Sequence, residues 1–207
     1  MAYYPINLDL QNKKCIVVGG GTVAERKVMS LLEFGGRVVV IAPELTPALK
    51  QLAEQGKIEH VSAEYQPGSL KGAFLVIAAT NERHVNEAVA EEAERLGILV
   101  NIVDTPALCN FFVPAAVKRG DLIISVSTSG KSPALAKHIR EKLEAEFGPE
   151  FGMLADLLGA IREKVKAKYS NQRDRNSAYE RIINSNVLTL LAEGRSEEAL
   201  EVAIKCI

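Results

Sequence analysis

Short apolar runs alternate with longer amphipathic stretches along the first hundred residues of the chain. The strand-like runs lie at 15–18, 37–41, 58–61, 73–78 and 99–103, and all but 58–61 (IEHV) are mainly apolar. Strands that are apolar at every position are buried on both faces, which is typical of a parallel sheet covered by helices. The intervening stretches have the apolar spacing of helices, with Asn81 as the expected N-cap of the last one. The pattern predicts an α/β, Rossmann-type doubly wound parallel sheet.

The alternation ends near residue 104. Thr105-Pro106 interrupts the chain, residues 111–117 suit either a short strand or a helical turn, and 122–126 is a further strand pattern. Pro133 is well placed in the first turn of a helix that runs to about 147. From residue 150 onward the pattern is helical throughout. We therefore predict a domain at 1–112, a connecting region at 113–148 and a small all-helical domain at 149–207.

Composition narrows the class of protein. The chain has 207 residues, a formal net charge of −1 and 47% hydrophobic residues, so we expect no nucleic acid and no membrane as partners. Residues 1–14 contain no apolar signal segment, and the three cysteines are few and far apart, which suits a reducing compartment. We therefore predict a cytoplasmic protein.

A metal site is not indicated by the sequence. The three histidines are far apart, and no two of them share the spacing of metal ligands. The cysteines form no C-x-x-C pair. We therefore predict no resident metal ligand in the chain.

The glycine loop that follows the first strand is the first candidate binding site. Gly19, Gly21 and Ala24 match the dinucleotide fingerprint G-x-G-x-x-G/A, and the loop opens a helix. Gly21 would let the backbone approach a pyrophosphate, and the helix N-terminus would receive the phosphates. The alternative is a glycine-rich turn that binds no ligand.

The fingerprint departs from its usual form at the end of the second strand. The expected ribose-binding acid is absent, because Ile41 and Ala42 occupy its place. Glu44, or the backbone at Pro43, is the candidate to replace it. No arginine or lysine stands there to bind a 2′-phosphate, so the sequence favours NAD over NADP.

Polar residues follow the predicted fourth and fifth strands. Asp104 comes directly after the fifth strand, at the edge where open α/β sheets bind their ligands. Its carboxylate could accept a proton or stabilise positive charge, although Asp-Thr-Pro is also a common turn sequence. Asn101, Thr80 and Asn81 could bind the nicotinamide ribose or amide, or serve as cap and loop residues. Both interpretations stay open on the residues alone.

A second candidate site is the hydroxyl-rich loop before the helix at Pro133. A loop of this kind at a helix N-terminus suits anions. The alternative is a solvated loop with ordinary surface charge. The candidate residues are Ser127, Thr128, Ser129, Lys131 and Ser132.

Four stretches together resemble one known family, the precorrin-2 dehydrogenases, which include the N-terminal module of siroheme synthase. The resemblance extends along nearly the whole chain and is strongest up to about residue 147. The stretches are GGGTVAERK at 19–27, IAATN at 77–81, NIVDTP at 101–106 with CNF at 109–111 and VPA at 113–115, and SVSTSGKSPALA at 125–136.

The resemblance also implies an activity, an oligomeric state and roles for individual residues. It implies NAD-dependent oxidation of precorrin-2 to sirohydrochlorin in siroheme or cobalamin biosynthesis, in a homodimer whose central region (113–148) mediates dimerisation. It assigns the catalytic role to Asp104 and nucleotide binding to Thr22, Val23, Pro43 and Glu44. Precorrin-2 is rich in carboxylates, which suits the anion loop. Some relatives also insert Fe²⁺ or Co²⁺, and this activity stays open here.

Two other functions fit parts of the sequence. An NAD-sensing regulatory module would share the glycine loop and the alternating strands but would need neither Asp104 nor the loop at 127–133. A dehydrogenase of small carbonyl compounds would need a lysine, tyrosine or histidine acid near the nicotinamide, and the sequence after Asp104 offers no clear one.

Overall fold

The computed structural model describes residues 3–207, and the chain divides after Val113 into two compact units. Among the described residues, no helix is both long and apolar enough to cross a membrane.

The first unit is a parallel five-stranded sheet with helices between its strands, in the order β3-β2-β1-β4-β5. The direction of strand addition reverses between β1 and β4, which is the position where open α/β sheets bind ligands. The predicted doubly wound fold is thus confirmed. Its elements are β1 (Lys14–Val18), α1 (Thr22–Glu33), β2 (Arg37–Ile41), α2 (Pro47–Glu54), β3 (Glu59–Val61), β4 (Leu75–Ala78), α3 (Arg83–Leu96), β5 (Leu99–Ile102) and a 3₁₀ turn (Pro106–Leu108).

The sheet buries an apolar layer on each face. Along β1, Ile16 and Val18 pack into one cluster, while Cys15 and Val17 pack into the other. Because successive side chains of a strand point to opposite faces, a strand covered on both sides must be apolar at every position. The continuous apolar runs in the sequence have this cause.

The second unit begins with a β-hairpin and continues as helices. The strands β6 and β7 are antiparallel, so the ambiguous segment 111–117 contains the start of a strand at Ala115. The helices after the hairpin enclose a separate apolar core. The elements are β6 (Ala115–Arg119), β7 (Leu122–Val126), α4 (Pro133–Glu146), α5 (Pro149–Ala160), α6 (Arg162–Lys168), α7 (Gln172–Ile183), α8 (Val187–Ala192) and α9 (Ser196–Cys206).

One predicted helix cap is wrong. The helix α3 begins at Arg83 with Glu82 in the cap position, and Asn81 lies outside it. Thr80 organises the turn instead: its hydroxyl accepts a hydrogen bond from the Glu82 N–H over 3.1 Å, and its carbonyl accepts one from Asn86 Nδ2 over 3.1 Å. These bonds delay the helix and leave the Asn81 side chain exposed at the edge of the sheet.

Candidate active site

Three consecutive glycines connect β1 to α1, and each meets a different environment. Gly19 has a φ of +117°, and a Cβ there would lie 2.5 Å from the Ala79 carbonyl oxygen. A Cβ on Gly20 would lie 1.9 Å from the Glu44 carbonyl oxygen, whereas one on Gly21 meets no atom within 4 Å. Gly19 and Gly20 are therefore required by packing, and the space beside Gly21 is free for a ligand.

The N-terminus of α1 presents its first backbone N–H groups beside that space. Gly21 is the cap residue, and it has no side chain to cap this helix end. Thr22 is exposed and Val23 is partly exposed, while Ala24 is fully buried against the sheet. Unpaired N–H groups at a helix start, together with the helix dipole, favour a phosphate. The local geometry fits the pyrophosphate of a dinucleotide.

The loop after β2 packs against the glycine loop. The Thr46 N–H donates to the Gly20 carbonyl over 3.0 Å, and the Thr46 hydroxyl donates to Glu25 Oε2 over 2.6 Å. Pro43 and Glu44 are exposed on this loop. The two loops are thus joined at the carboxyl edge of the sheet, and the contact explains why Gly20, which the fingerprint leaves unspecified, is a glycine.

A cleft of about 630 Å³ opens at the carboxyl ends of β4 and β5. It brings together four of the residues proposed from the sequence, namely Val23, Thr80, Asn81 and Asp104. The lining does not include the remaining cofactor candidates. The complete lining consists of Val23, Ala79, Thr80, Asn81, Arg83, Asn86, Glu87, Val103, Asp104, Thr105, Ala107 and Leu108.

Asp104 is exposed at the side of this cleft and has a φ of +59°. The left-handed conformation is uncommon outside glycine, and aspartate is among the residues that adopt it most readily. The Thr105 N–H closes the turn on the Ile102 carbonyl over 3.2 Å. Asp104 is thus a turn residue that also lines the cleft, and its catalytic role stays a prediction.

Lys27 is a charged neighbour of Asp104 that the sequence analysis did not single out. It lies on α1, one turn beyond Ala24, and is partly buried. Burial lowers the pKa of Lys27 and so does the charge of Arg26, while the Asp104 carboxylate acts in the opposite direction and raises it. The site therefore couples a carboxylate to an ammonium group that lies three residues past the fingerprint.

Asn101 lies beneath the turn. Its side chain is only 8% exposed, and its Nδ2 donates to the Phe111 carbonyl over 3.1 Å. The amide donor is thus engaged within the protein, so the use of Asn101 as a cofactor ligand stays a prediction. Cys109, which the sequence analysis left without a role, lies within 3.6 Å of the same amide nitrogen.

The anion-loop candidates belong to the second unit and are bonded mostly to each other. Thr128 Oγ1 accepts from the Ser132 N–H over 3.0 Å and donates to the Ser132 carbonyl over 3.1 Å. The Ser127 hydroxyl accepts from the Ser129 N–H over 3.1 Å, and that of Ser132 caps α4 at the Leu135 N–H over 3.2 Å. Lys131 is exposed. The hydroxyls thus shape the loop, and its use as a substrate site stays a prediction.

Family models match three consecutive parts of the chain. The first, described as putative NAD(P)-binding, matches residues 6–115, which is more than half of the chain. The chain belongs to this NAD(P)-binding family. A model of the central part of a sirohaem biosynthesis protein matches 119–146, and a model of the sirohaem synthase dimerisation region matches 150–204. The nicotinamide dinucleotide expected from the glycine loop is thereby confirmed as the cofactor class.

Curated relatives of this NAD(P)-binding chain are named siroheme synthases. Siroheme synthase 3 of Aeromonas hydrophila subsp. hydrophila is 41% identical over 98% of this chain and 44% of that protein. The siroheme synthase of Photorhabdus laumondii subsp. laumondii is 41% identical over 96% of this chain and 42% of that protein. The chain thus spans less than half the length of these curated relatives.

A solved structure superposes on nearly the whole chain. The protein named SirC, precorrin-2 dehydrogenase, superposes with a TM-score of 0.78 at 26% sequence identity, covering 98% of this chain and 100% of that one. The resemblance to the precorrin-2 dehydrogenase family is confirmed by this match and by the order of the three family models.

Among residues 3–207, no group of three or more histidine, cysteine, aspartate or glutamate side chains is arranged to hold a metal ion. In the cleft, Asp104 and Glu87 are the acidic side chains that line the wall, and Glu87 accepts a hydrogen bond from Arg83 Nε over 2.7 Å.

Proposed function

We propose that the chain is an NAD-dependent dehydrogenase that oxidises precorrin-2 to sirohydrochlorin in siroheme biosynthesis. The single observation that carries the proposal is the position of Asp104 in the wall of the cleft, at the same edge of the sheet as the open space beside Gly21. A dinucleotide bound there would extend its nicotinamide toward a carboxylate. The likeness to SirC, precorrin-2 dehydrogenase, supports the substrate.

The residues of the first unit fit the cofactor. Gly21 and the first turn of α1, with Thr22 and Val23, would hold the pyrophosphate, and Thr80 and Asn81 line the cleft where the nicotinamide ribose would lie. The loop at Pro43 and Glu44 would contact the adenosine ribose. Residues 38–46 contain no lysine or arginine, which favours NAD because a 2′-phosphate would lack a cation. When bound, NAD⁺ accepts a hydride from the substrate.

Asp104 would act as the proton acceptor. The oxidation removes a hydride and, in net terms, a proton from the macrocycle, so an adjacent carboxylate can take up the proton as general base. The exposed position of Asp104 on a turn lets it reach a large substrate that covers the cleft.

The second unit would supply dimerisation and substrate contacts. The sirohaem synthase dimerisation model matches 150–204, which lies after the region 113–148 that the resemblance gave this role, and it supports a homodimer. The loop at Ser127, Thr128, Ser129, Lys131 and Ser132 would bind substrate carboxylates with its lysine. The domain limits at 112 and 148 remain part of this proposal. Insertion of Fe²⁺ or Co²⁺ would treat the metal as a substrate, with Asp104 accepting protons from the macrocycle.

The decisive experiment is anaerobic turnover of the purified chain with precorrin-2 and NAD⁺, followed by NADH absorbance and by the sirohydrochlorin spectrum. We expect turnover by the wild type and a loss of at least about 100-fold in Asp104→Ala, with unchanged activity in Glu54→Ala, an exposed carboxylate on α2. Adding Fe²⁺ or Co²⁺ to the product then tests metal insertion. If the wild type binds NAD⁺ but leaves precorrin-2 unchanged, the dehydrogenase proposal fails and the NAD-sensing function is favoured.

A further inference from the structure

The thiol of Cys109 lies directly beneath the Asp104 turn and contacts the backbone on both sides of it. Its Sγ accepts from the Ile102 N–H at 3.2 Å and lies 3.3 Å from the Ile102 carbonyl oxygen. It also lies 3.4 Å from the carbonyl oxygen of Thr105. The thiol thus joins the last residue of β5 to the residue that follows Asp104.

We propose that Cys109 is a positioning residue for Asp104, which fixes the turn that carries the catalytic carboxylate. This inference rests on the proposed function. Asp104 itself does not touch the thiol in any contact of the described chain, so Cys109 would act through the backbone. Holding the carboxylate in one place matters because displacement of a catalytic group by about 1 Å can reduce turnover about 100-fold.

The Asp104 turn has features that call for such a support. Asp104 has a φ of +59°, a conformation that is uncommon outside glycine although aspartate adopts it more readily than most residues. The backbone bond from Thr105 to Ile102 closes the turn over 3.2 Å, and the thiol bonds to these same two residues. A single side chain therefore stabilises both ends of the uncommon conformation.

Asn110 provides a separate anchor, which makes the role of Cys109 distinguishable. Asn110 Oδ1 accepts from the Val100 N–H over 2.7 Å, and its Nδ2 donates to the Ile98 carbonyl over 3.0 Å. Its own N–H donates to the Val100 carbonyl over 3.1 Å. Asn110 thus pairs with the free edge of β5 as a further strand would, and keeps the segment attached when the neighbouring thiol is removed.

The thiol must stay protonated to make these contacts. It has one proton, so it donates to one of the two carbonyls at a time while its sulfur accepts from Ile102 and from Asn101 Nδ2. Burial raises the pKa of Cys109, and the hydrogen bond from the Ile102 backbone opposes this effect only in part. The neutral form is therefore favoured, which suits a structural hydrogen-bonding role and not a nucleophile or metal ligand.

Kinetics of three variants test the proposal. Cys109→Ala removes the contacts, Cys109→Ser keeps a donor and an acceptor, and Cys206→Ala is a control at a cysteine of similar burial in the other unit. We expect Cys109→Ala to lower kcat for precorrin-2 oxidation about 10- to 100-fold, with the Kd for NAD⁺ and the KM for precorrin-2 within about two-fold of the wild type. Cys109→Ser should recover most of kcat.

Hydrogen exchange of the segment 101–109 supplies a readout that does not need turnover. We expect faster exchange in this segment of Cys109→Ala, and unchanged exchange in β1 and β4. Unchanged exchange together with unchanged kcat would overturn the proposal, as would an equal loss in Cys109→Ala and Cys109→Ser. If the wild type does not oxidise precorrin-2, the proposed function fails by itself, and the exchange data still decide whether Cys109 holds the turn.

Discussion

The carboxylate of Asp104 raises the pKa of Lys27, against the lowering by burial and by the charge of Arg26. Lys27 extends from α1, and Asp104 follows β5, so the two charges come from elements that are far apart in the sequence. Their electrostatic interaction therefore links the first helix to the turn after the fifth strand. It also gives Asp104 a measurable effect on another residue.

We expect Asp104→Asn to lower the pKa of Lys27 further, because the substitution removes the charge that favours the ammonium form and leaves the effect of burial in place. The pKa can be followed by the pH dependence of Lys27 acylation, with peptide mass spectrometry as the readout. In the variant, acylation should begin at a lower pH than in the wild type. Glu54→Gln serves as the control, and equal profiles in Asp104→Asn and the wild type would contradict the coupling.

The second prediction is that substitutions at two neighbouring glycines change different properties, NAD⁺ binding at one and stability at the other. Gly21→Ala adds a Cβ in open space at a φ of −83°, so we expect unchanged stability but NAD⁺ binding weakened at least about 10-fold, since the methyl group would occupy the space of the pyrophosphate. Gly20→Ala instead brings a Cβ to 1.9 Å from the Glu44 carbonyl and should lower the unfolding temperature.

Isothermal titration calorimetry measures the NAD⁺ affinity of both glycine variants, and differential scanning calorimetry measures their unfolding temperatures. Full NAD⁺ affinity in a folded Gly21→Ala protein would show that the fingerprint serves only as a turn. Gly20→Ala with wild-type stability would mean that the glycine loop does not pack against the carbonyl of Glu44.

The sequence predicted the fold well because the sheet is covered on both faces. Burial on both faces requires apolar residues, so β1, β2 and β4 leave a local pattern. The edge strand β3 (Glu59–Val61) is polar and partly exposed and does not have the continuous apolar pattern expected of it. The position of Asp104 was predictable for a related reason, since a polar residue at the end of such a strand must reach the ligand-binding edge.

Other features depend on contacts between distant segments and leave no local pattern. Gly20 is a glycine because a Cβ there would collide with the carbonyl of Glu44. The pKa of Lys27 depends on the charge of Asp104, which follows a different element. Asn81 was a reasonable cap by residue type, yet Thr80 bonds to Glu82 and Asn86 and moves the start of the helix. Cys109 lay within a stretch that carried the family resemblance, but its bonds to the backbone of β5 appear only when the chain is folded.

A third prediction concerns the buried carboxylate of Glu92, which is only 5% exposed. It accepts hydrogen bonds from the Tyr65 hydroxyl, from the Gly68 N–H over 3.0 Å and from the Leu70 N–H over 3.3 Å. These bonds fasten the loop before β4 to α3. We expect Tyr65→Phe to lower the free energy of unfolding by about 1–3 kcal/mol, the cost of leaving a buried hydrogen-bonding group without its partner.

The contribution of Tyr65 should depend on pH. Burial raises the pKa of Tyr65, and the hydrogen bond to Glu92 raises it further. Because the pKa of Tyr65 is higher in the folded than in the unfolded protein, its contribution to stability is fully present below the unfolded pKa of about 10. The contribution is lost as the pH rises from there toward the folded pKa. Urea unfolding should therefore show a large difference between wild type and Tyr65→Phe at pH 7 and a smaller one above about pH 10. A difference that grows with pH would contradict this assignment.

The last prediction separates the shape of the loop at 127–132 from its chemistry. The Thr128 hydroxyl makes both of its bonds with the backbone of Ser132, and a serine hydroxyl can make the same bonds. We expect Thr128→Ser to keep wild-type stability and a KM for precorrin-2 within about two-fold, whereas Thr128→Val should lose about 1 kcal/mol of stability because it leaves these backbone groups without their partner.

Thr128→Val should also raise the KM for precorrin-2, because the loop would no longer hold Lys131 and the start of α4 in one arrangement. The KM is measured by initial rates and the stability by urea unfolding, with Lys131→Ala as the matched variant that removes charge and keeps the loop bonds. A KM that rises in Lys131→Ala but not in Thr128→Val would assign substrate binding to charge alone. A KM that changes in neither variant would remove this loop from the substrate site.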